Sequence, residues 1–338
     1  MNVQAGKRNL ITDVSGIQVG NADDEKLLSG VTVILPQSGT VAAVDVRGGA
    51  PGTRETEALD PSRLVDQAHG LVFSGGSVFG LGAADGVTSW LAARGTGFTF
   101  HDQPHPCPVV PTAVLFDLTN GGEKDWGAVP PYWELGISAC EAAREDFSLG
   151  NAGAGMGALA GNLKGGLGSA SAVFNGITIG ALAAVNSFGS AVVPDSDVLW
   201  AAPYAIGDEY PAHSLPPIGA AQAPSIGTKA ELLDGAASSG QNTTLCAIAT
   251  DARLSPAQAQ RLAIMAADGM ARALRPIHTP FDGDVMFALA TGASGQQSDA
   301  MGLLALGAIA ADCTARAIAR AVWLAKPVGG WKALSDRH

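Results

Sequence analysis

The chain has 338 residues, of which 47% are hydrophobic and only 15% are charged, so much of it must be buried in a core or a subunit interface. The formal net charge of -11 disfavours nucleic acids and anionic membranes as partners, because both repel an acidic surface. The sequence starts without a secretory signal, and no apolar run approaches the about 20 residues of a membrane span. Its scattered cysteines lack C-x-x-C spacing. These features predict a cytoplasmic protein with reduced thiols.

Strands and short helices are predicted for the first half of the chain. Three apolar, β-favouring runs between Ile11 and Val46 are separated by turn residues, which is typical of successive strands. A short helix is predicted near Ser62–Gln67 and a buried strand at Gly70–Phe73. Further helices are predicted from the Ser-Gly-Gly-Ser turn at 74–77 to about Ala93, and over Tyr132–Arg144.

Small residues and then prolines dominate the middle of the chain. The tract from Gly150 to Ser171 is rich in glycine and alanine. It either cradles a substrate with its backbone or packs turns closely, and the sequence leaves both readings open. A strand pair is predicted between Asn175 and Val193. The segment Pro194–Asn242 is rich in proline and is predicted to be a linker with little regular structure, able to present a bond for cleavage.

The C-terminal part gives clearer signals. A strand is predicted at Leu245–Thr250, and Ser255–Gln258 forms a capping box that opens a helix to about Leu274. A strand at Val285–Thr291 and a long helix from Ser298 to about Ala325 complete the chain. Strands that precede and follow the helices favour two sheets with helices outside. The predicted fold class is α/β, as a layered αββα sandwich.

The junction at Thr243 is the strongest candidate for chemistry. A flexible polar run ends at Asn242, and an apolar strand begins at Thr244. If the Asn242–Thr243 bond were cut, Thr243 would carry a free α-amine beside its hydroxyl. Such an amine, with a pKa near 7.7–8.0, can act as a general base near neutral pH. The junction therefore fits a threonine nucleophile activated by its own amine, although any loop that enters a strand could carry the same residues.

Three polar residues are candidates for supporting such a nucleophile. Asp282 and Asp284 flank one glycine, and they are either a solvated turn or an acid pair in which mutual repulsion raises one pKa. Asn186 ends a predicted buried strand. It is either a turn residue or an amide donor to a developing oxyanion.

Other familiar sites are disfavoured by spacing. The chain has no G-x-x-x-x-G-K-[ST] run, and the glycines at 80 and 82 lack the third glycine of a dinucleotide fingerprint. Ser77 lacks the glycines of a G-x-S-x-G elbow. His101 and His105 share a proline-rich loop, which favours a solvated loop over a metal site. We therefore expect neither a cofactor nor a metal.

Several blocks of sequence resemble the S58-type peptidase family. This family holds the L-aminopeptidase/D-esterase, the β-peptidyl aminopeptidases and the 6-aminohexanoate-oligomer (nylon oligomer) endo-hydrolases. The matching blocks span nearly the whole chain in the expected order. They are ITDVSGIQVGN, VTVILP, VAAVDVRGGAPGTRETEAL, GLVFSGGSVFGLGAADGV, AGAGMGALAGNLKGGLGSAS, AAVN, NTTLCAIATDARLSPAQAQRLA and HTPFDGDVMFALATG.

The resemblance implies one hydrolase domain over residues 1–338, with the αββα sandwich of self-processing N-terminal-nucleophile hydrolases. It implies an inactive precursor that cuts itself between Asn242 and Thr243 into chains 1–242 and 243–338. The processed pairs are expected to form a tetramer. The expected substrates are small amides or peptides with a free amine.

The resemblance also assigns roles to residues. It implies that Thr243 is the nucleophile, that Asp282 and Asp284 orient it, and that Asn186 supports the oxyanion. Lys164 matches the family's active-site lysine, although its spacing from AGAGM differs from that of the nylon-oligomer type. A further position, Phe116, stands where the nylon-oligomer hydrolases and β-aminopeptidases have a tyrosine, and it is expected to contact the substrate without that hydroxyl.

Competing functions remain open at this point. The threonine nucleophile and the Asp-Gly-Asp turn favour the nylon-oligomer hydrolases over the serine-using β-aminopeptidases, and the main alternative is a β- or L-aminopeptidase with D-esterase or amidase activity. Acyl transfer of the ornithine acetyltransferase type is a second class. An unprocessed binding protein is a third.

Overall fold

The computed structural model describes residues 3–211, 215–216, 227–229 and 242–337. The strands are β1 (Ile17–Asp24), β2 (Ser29–Pro36), β3 (Thr40–Val46), β4 (Thr53–Arg54), β5 (Gln67–Ala68), β6 (Leu71–Ser74), β7 (Thr112–Val114), β8 (Leu159–Ala160), β9 (Leu163–Lys164), β10 (Gly166–Phe174), β11 (Ile177–Asn186), β12 (Thr243–Thr250) and β13 (Val285–Ala290). The α-helices are α1 (Ala83–Ala92), α2 (Tyr132–Glu141), α3 (Pro256–Ala273) and α4 (Ala300–Trp323).

Two mixed β-sheets form the centre of the fold. The six-stranded sheet has the order β10-β11-β12-β13-β3-β5, and the five-stranded sheet has the order β1-β2-β6-β7-β4. Strand β12 lies inside the larger sheet, antiparallel to β11 and parallel to β13. All of its residues are buried, as expected for a strand covered on both faces.

The side chains of β12 show how the layers are built. Successive residues of a strand point to opposite faces. Leu245 and Ala247 belong to the apolar core between the two sheets, where Phe73 of the smaller sheet packs near Phe287 of the larger one. Ile248 belongs to the core that α3 and α4 cover. A third core lies between the smaller sheet and the helices α1 and α2. This order of layers confirms the predicted αββα sandwich.

Local sequence signals succeeded and failed for identifiable reasons. Ser255 accepts a hydrogen bond from the Gln258 amide and so caps α3, as the sequence predicts. The predicted helix near Ser62–Gln67 was wrong. There, the carboxylate of Asp60 accepts hydrogen bonds from the backbone and the hydroxyl of Ser62, and such local bonds compete with a helix. Gln67 instead begins β5, which pairs with β3.

The predicted linker Pro194–Asn242 is only partly covered by the structure. The described residues include a short 3-10 turn at Ala202–Tyr204. Residues 227–229 form backbone hydrogen bonds with Asn162 and Phe188. Residues 212–214, 217–226 and 230–241 lie outside the described part of the chain, so most of this prediction stays a prediction.

Helix α4 is long and apolar enough by length and composition to cross a membrane, and 61% of its most apolar window is buried. The sequence prediction that no run reaches this length was therefore wrong. Many core helices of soluble proteins meet the same criterion. Packing of α4 against β10, β11 and α3 accounts for its apolar character.

A buried ion pair ties α4 to the chain before residue 211. The Nε atom of Arg316 lies 2.6 Å from Oε1 of Glu209, and its side chain is completely buried. The same guanidinium donates to the carbonyl oxygen of Ser171 and to Oδ1 of Asn9. We expect Glu209→Ala to lower the free energy of unfolding by about 3–5 kcal/mol, because it leaves Arg316 buried without its counter-charge. Urea unfolding followed by circular dichroism measures this loss.

A partly exposed ion pair between α3 and α4 provides the control for that prediction. Arg272 and Asp312 form a salt bridge in which the two side chains are 31% and 45% exposed. Because solvent screens such a pair, Asp312→Ala should cost less than about 1 kcal/mol. Equal losses in Glu209→Ala and Asp312→Ala would contradict the assignment of Glu209 as the essential partner of Arg316.

Candidate active site

Three chain segments converge at the start of β12. In the antiparallel pair, Asn186 at the end of β11 faces Thr243 at the beginning of β12. In the parallel direction, Asn242 forms a β-bridge with Asp282, just before β13 begins. Strand β11 is antiparallel to β12 and therefore ends at the edge of the sheet where β12 starts. Strand β13 is parallel to β12 and therefore starts at the same edge. The topology therefore brings together Asn186, Thr243 and the Asp282–Asp284 turn, as the sequence proposed.

The hydroxyl of Thr243 lies beside the peptide bond between Asn242 and Thr243, the predicted cleavage site. Oγ1 donates to the carbonyl oxygen of Asn242 at 2.5 Å, and Thr243 itself is 4% exposed. The backbone N–H of Gly283 donates to the same carbonyl oxygen at 2.7 Å. A carbonyl oxygen that already accepts a backbone N–H is stabilised when negative charge develops on it. This arrangement can polarise the 242–243 bond.

Asp284 connects β12 to the turn before β13. One carboxylate oxygen accepts the backbone N–H of Thr244 at 2.7 Å. The other accepts the backbone N–H of His278 at 3.0 Å and lies 2.9 Å from Nδ1 of the same residue. His278 has a positive φ of 55°, a conformation that costs energy for a non-glycine residue. Asp284 therefore fixes the residue next to Thr243.

Asp282 is fully buried and holds a different set of groups. Its carboxylate accepts hydrogen bonds from the backbone of Phe188 and from the backbone and hydroxyl of Thr279. Burial, followed by the charge of Asp284, raises the pKa of Asp282, and its hydrogen bonds oppose that rise. The direction agrees with the repulsion expected from the sequence, but burial contributes more than Asp284 does.

The amide of Asn186 is held by several groups. Its Oδ1 accepts from the backbone N–H of Leu159 at 2.9 Å, from Nδ2 of Asn120 at 3.2 Å and from Nζ of Lys229 at 3.1 Å. Its Nδ2 donates to the carbonyl oxygen of Phe116 at 2.8 Å. These contacts fix which end of the amide is the donor. Asn186 is thus a rigid amide opposite Thr243, and its role at an oxyanion stays a prediction.

A cavity of about 380 Å³ opens onto Thr243. It is large enough for a small ligand. Phe116, which the family resemblance predicts to contact the substrate, forms part of its wall. Ser77, at a positive φ of 53°, lies on another wall. The described residues that line this cavity are all uncharged. They are Ala50, Pro51, Gly52, Thr53, Ser77, Val78, Leu81, Val114, Phe116 and Thr243.

Lys164 lies in β9, and its ammonium is occupied by backbone oxygens. Nζ donates to the carbonyl oxygens of Gly155, Ala158 and Gly165 at 2.8, 2.9 and 2.8 Å. Burial lowers the pKa of Lys164 to about 7, and the charge of Asp117 opposes that change. Lys164 is absent from the described lining of the cavity, so its proposed contact with substrate stays a prediction.

The pKa of Lys164 predicts how stability depends on pH. Between pH 7 and the unfolded pKa near 10.4, the unfolded chain binds a proton at Lys164 that the folded chain has lost. The unfolding free energy therefore gains a contribution that rises with pH in this window, by about 2 kcal/mol between pH 7 and 9. Lys164→Met should lack this rise. Urea unfolding at pH 7, 8 and 9, with both chains also carrying Thr243→Ala, isolates the slope, and equal slopes would contradict the prediction.

Three residues of the site were not singled out from the sequence. Gly283 and His278 lie in the same block as the two aspartates, and their roles depend on a backbone N–H and a left-handed φ that no side-chain pattern reveals. Lys229 stands in the proline-rich segment without any motif around it. Among the described residues, no group of three or more His, Cys, Asp or Glu side chains is placed to hold a metal ion.

Known proteins with similar sequences give the family. The family model for peptidase family S58 matches residues 9–335. An uncharacterized aminopeptidase of Mycobacterium tuberculosis is 46% identical over 95% of this chain and 96% of its own length. A 6-aminohexanoate-oligomer endohydrolase of Kocuria sp. is 32% identical over 85% of this chain and 76% of its own length.

Solved structures give the same fold. A β-aminopeptidase of Burkholderia sp. superposes with a TM-score of 0.71 at 23% identity, over 99% of this chain and 95% of its own. The L-aminopeptidase D-Ala-esterase/amidase of Ochrobactrum anthropi, described as a variant of the N-terminal-nucleophile hydrolase fold, gives 0.69 at 21%, over 98% and 90%. The oligomeric state and cellular location stay predictions. The chain belongs to peptidase family S58 and shares the fold of its N-terminal-nucleophile aminopeptidases.

Proposed function

We propose that this chain is a self-processing amidohydrolase whose nucleophile is the N-terminal threonine released at Thr243. The observation that carries the proposal is the 2.5 Å contact between Oγ1 of Thr243 and the Asn242 carbonyl oxygen, which also accepts the Gly283 N–H. The hydroxyl, the bond to be cut and a donor for the developing negative charge are thus already assembled. The membership of a peptidase family supports the same conclusion.

The precursor reaction is an exchange of an amide for an ester. The hydroxyl oxygen of Thr243 attacks the carbonyl carbon of Asn242, and the hydroxyl proton is transferred to the departing amide nitrogen. The C–N bond breaks as the C–O bond forms, and the Gly283 N–H, together with the amide of Asn186 on the facing strand, stabilises the oxygen that becomes negative. Water then hydrolyses the ester. The products are a carboxylate at Asn242 and a free α-amine on Thr243.

Turnover uses the amine that processing creates. The α-amine accepts the hydroxyl proton, the hydroxyl oxygen attacks a substrate amide, and the leaving amine takes a proton as it departs. Water then releases the acyl group as a carboxylic acid. Asp284 orients the reacting residue through the Thr244 backbone, and Asn186 supports the oxyanion from the facing strand.

The cavity favours a linear amide with a neutral chain on either side of the bond. Every described lining residue is uncharged, so this part of the pocket offers no carboxylate for a substrate amine close to Thr243. This supports cleavage of an amide bond that lies away from the free amine of the substrate. The similarity to a 6-aminohexanoate-oligomer endohydrolase points in the same direction. We therefore propose linear oligoamides, including oligomers of 6-aminohexanoate, ahead of amino-acid amides.

The first experiment is the intact mass of the purified wild-type protein under denaturing conditions. Two fragments that match residues 1–242 and 243–338 are expected. A single uncut chain would overturn the self-processing mechanism. Linear 6-aminohexanoate oligomers and amino-acid p-nitroanilides are then compared as substrates, with and without an added acceptor amine. Release of free acid supports hydrolysis, whereas transfer of the acyl group to the acceptor would identify an acyltransferase.

A further inference from the structure

A buried lysine outside the predicted set lies against the candidate site. Lys229 is 7% exposed, and its ammonium donates to both the backbone oxygen and the side-chain oxygen of Asn186, at 3.2 and 3.1 Å. Asn186 faces Thr243 across the β11–β12 pair. Lys229 therefore contacts the residue that lies opposite the proposed nucleophile.

The backbone of the same segment reaches the acidic side of the site. The N–H of Lys229 donates to the carbonyl oxygen of Phe188 at 3.1 Å, and the N–H of Phe188 donates to the carboxylate of Asp282 at 3.1 Å. The segment is anchored at Gly227, whose carbonyl oxygen accepts the N–H of Asn162. Lys229 is thus linked to Asn186 by its side chain and to Asp282 through one residue.

The charges around Lys229 explain why a lysine can occupy this position. Burial lowers the pKa of Lys229 to about 7, while the negative charges of Asp282 and Asp117 oppose that change. A buried ammonium is unfavourable unless it is paired or hydrogen-bonded. Here Asn186 supplies two acceptors. Lys164, by contrast, donates to three backbone carbonyl oxygens.

We propose that Lys229 is a positioning residue that holds the amide of Asn186 in place opposite Thr243. This inference rests on the proposed function, because the proposed mechanism uses the amide of Asn186 and Lys229 would hold that amide in place. Lys229 donates to Oδ1, and so helps to keep Nδ2 as the end that reaches the carbonyl oxygen of Phe116 on the cavity wall. Removal of this donor loosens the amide, because Oδ1 is then held by the Leu159 N–H and Nδ2 of Asn120 without Lys229.

The test measures the self-cleavage rate of full-length chains by intact mass at successive times after cell-free synthesis. Lys229→Met should slow cleavage by about 10²-fold, as expected when a reacting group is misplaced by about 1 Å. Lys229→Gln keeps a neutral donor and should recover part of the rate. In an Asn186→Ala chain, Lys229→Met should cause no further loss, because its effect passes through Asn186.

A second lysine provides the control. Nζ of Lys124 donates to the carbonyl oxygens of Leu27 and Leu28, away from Asn186, so Lys124→Met should cut itself at the wild-type rate. Melting temperatures of all variants in the Thr243→Ala background test whether a slow chain is simply less folded. A Lys229→Met chain that cleaves as fast as wild type overturns the positioning role, as does an additive loss in Asn186→Ala. If the wild-type chain stays whole, the proposed function itself fails and the role of Lys229 with it.

Discussion

We expect Thr243→Ala to leave the protein as one uncut chain and to abolish amide hydrolysis. The substitution removes the hydroxyl that lies 2.5 Å from the Asn242 carbonyl oxygen, and no ester can form without it. In the proposed mechanism, both the processing reaction and turnover depend on that atom. Activity should fall by at least about 10⁴-fold, the scale seen when a covalent nucleophile is removed. Intact mass and substrate hydrolysis, measured on the same preparation, give both readouts.

The adjacent residue is the matched control for this experiment. Thr244 contributes its backbone N–H to Asp284, and its side-chain hydroxyl has no hydrogen-bond partner among the described residues. Thr244→Val keeps the shape and the backbone contact, so it should be processed like the wild type. Thr243→Ser keeps a hydroxyl and should cut itself, at a reduced rate. A processed and active Thr243→Ala chain would show that another residue is the nucleophile.

Gly283→Ala should be the second most damaging substitution in the site. A Cβ atom at this position would lie 2.7 Å from Oγ1 of Thr243 and 2.7 Å from the carbonyl oxygen of Ala50, closer than real Cβ atoms approach. The turn must then shift, and with it the N–H that Gly283 donates to Asn242. We expect self-cleavage and hydrolysis to fall by about 10²-fold or more, measured as rates on the purified chain.

Another glycine separates this effect from the general cost of adding a methyl group. Gly82 precedes α1, and a Cβ atom there would have no heavy atom within 4 Å outside its chain neighbours and its own helix backbone. Gly82→Ala should therefore be processed at the wild-type rate. If Gly283→Ala also cut itself normally, the contact between Gly283 and the 242–243 bond would have no part in the reaction.

The sequence predicted the fold where local signals and burial agree. The apolar run after Thr243 became a fully buried strand, and the Ser255–Gln258 capping box began α3. The αββα order followed from strands and helices that had to cover one another. The helix predicted near Ser62–Gln67 failed because the Asp60 carboxylate satisfies the backbone locally, a competition that hydrophobic periodicity does not register.

The candidate site was predictable only where side chains carry the chemistry. Thr243, Asp282 and Asn186 could be proposed from residue type and position, and the structure brings them together at three adjoining strand ends. Gly283 acts through its backbone N–H, so its side chain gave no signal. Lys229 comes from a segment without motif or periodicity. Its contact with Asn186 depends on tertiary packing between residues 43 positions apart.

The strand order also determines what processing does to the protein's ability to recover from unfolding. Cleavage after residue 242 would leave β12 and β13 on the shorter chain, yet these strands lie between β11 and β3 of the longer chain. The two products are therefore interleaved and can separate only by unfolding. Refolding of the cut protein would be a bimolecular reaction that depends on concentration, while the precursor folds as a single chain. After processing, the folded state would therefore be maintained kinetically, by the barrier to unfolding, because the unfolded fragments would not readily refold.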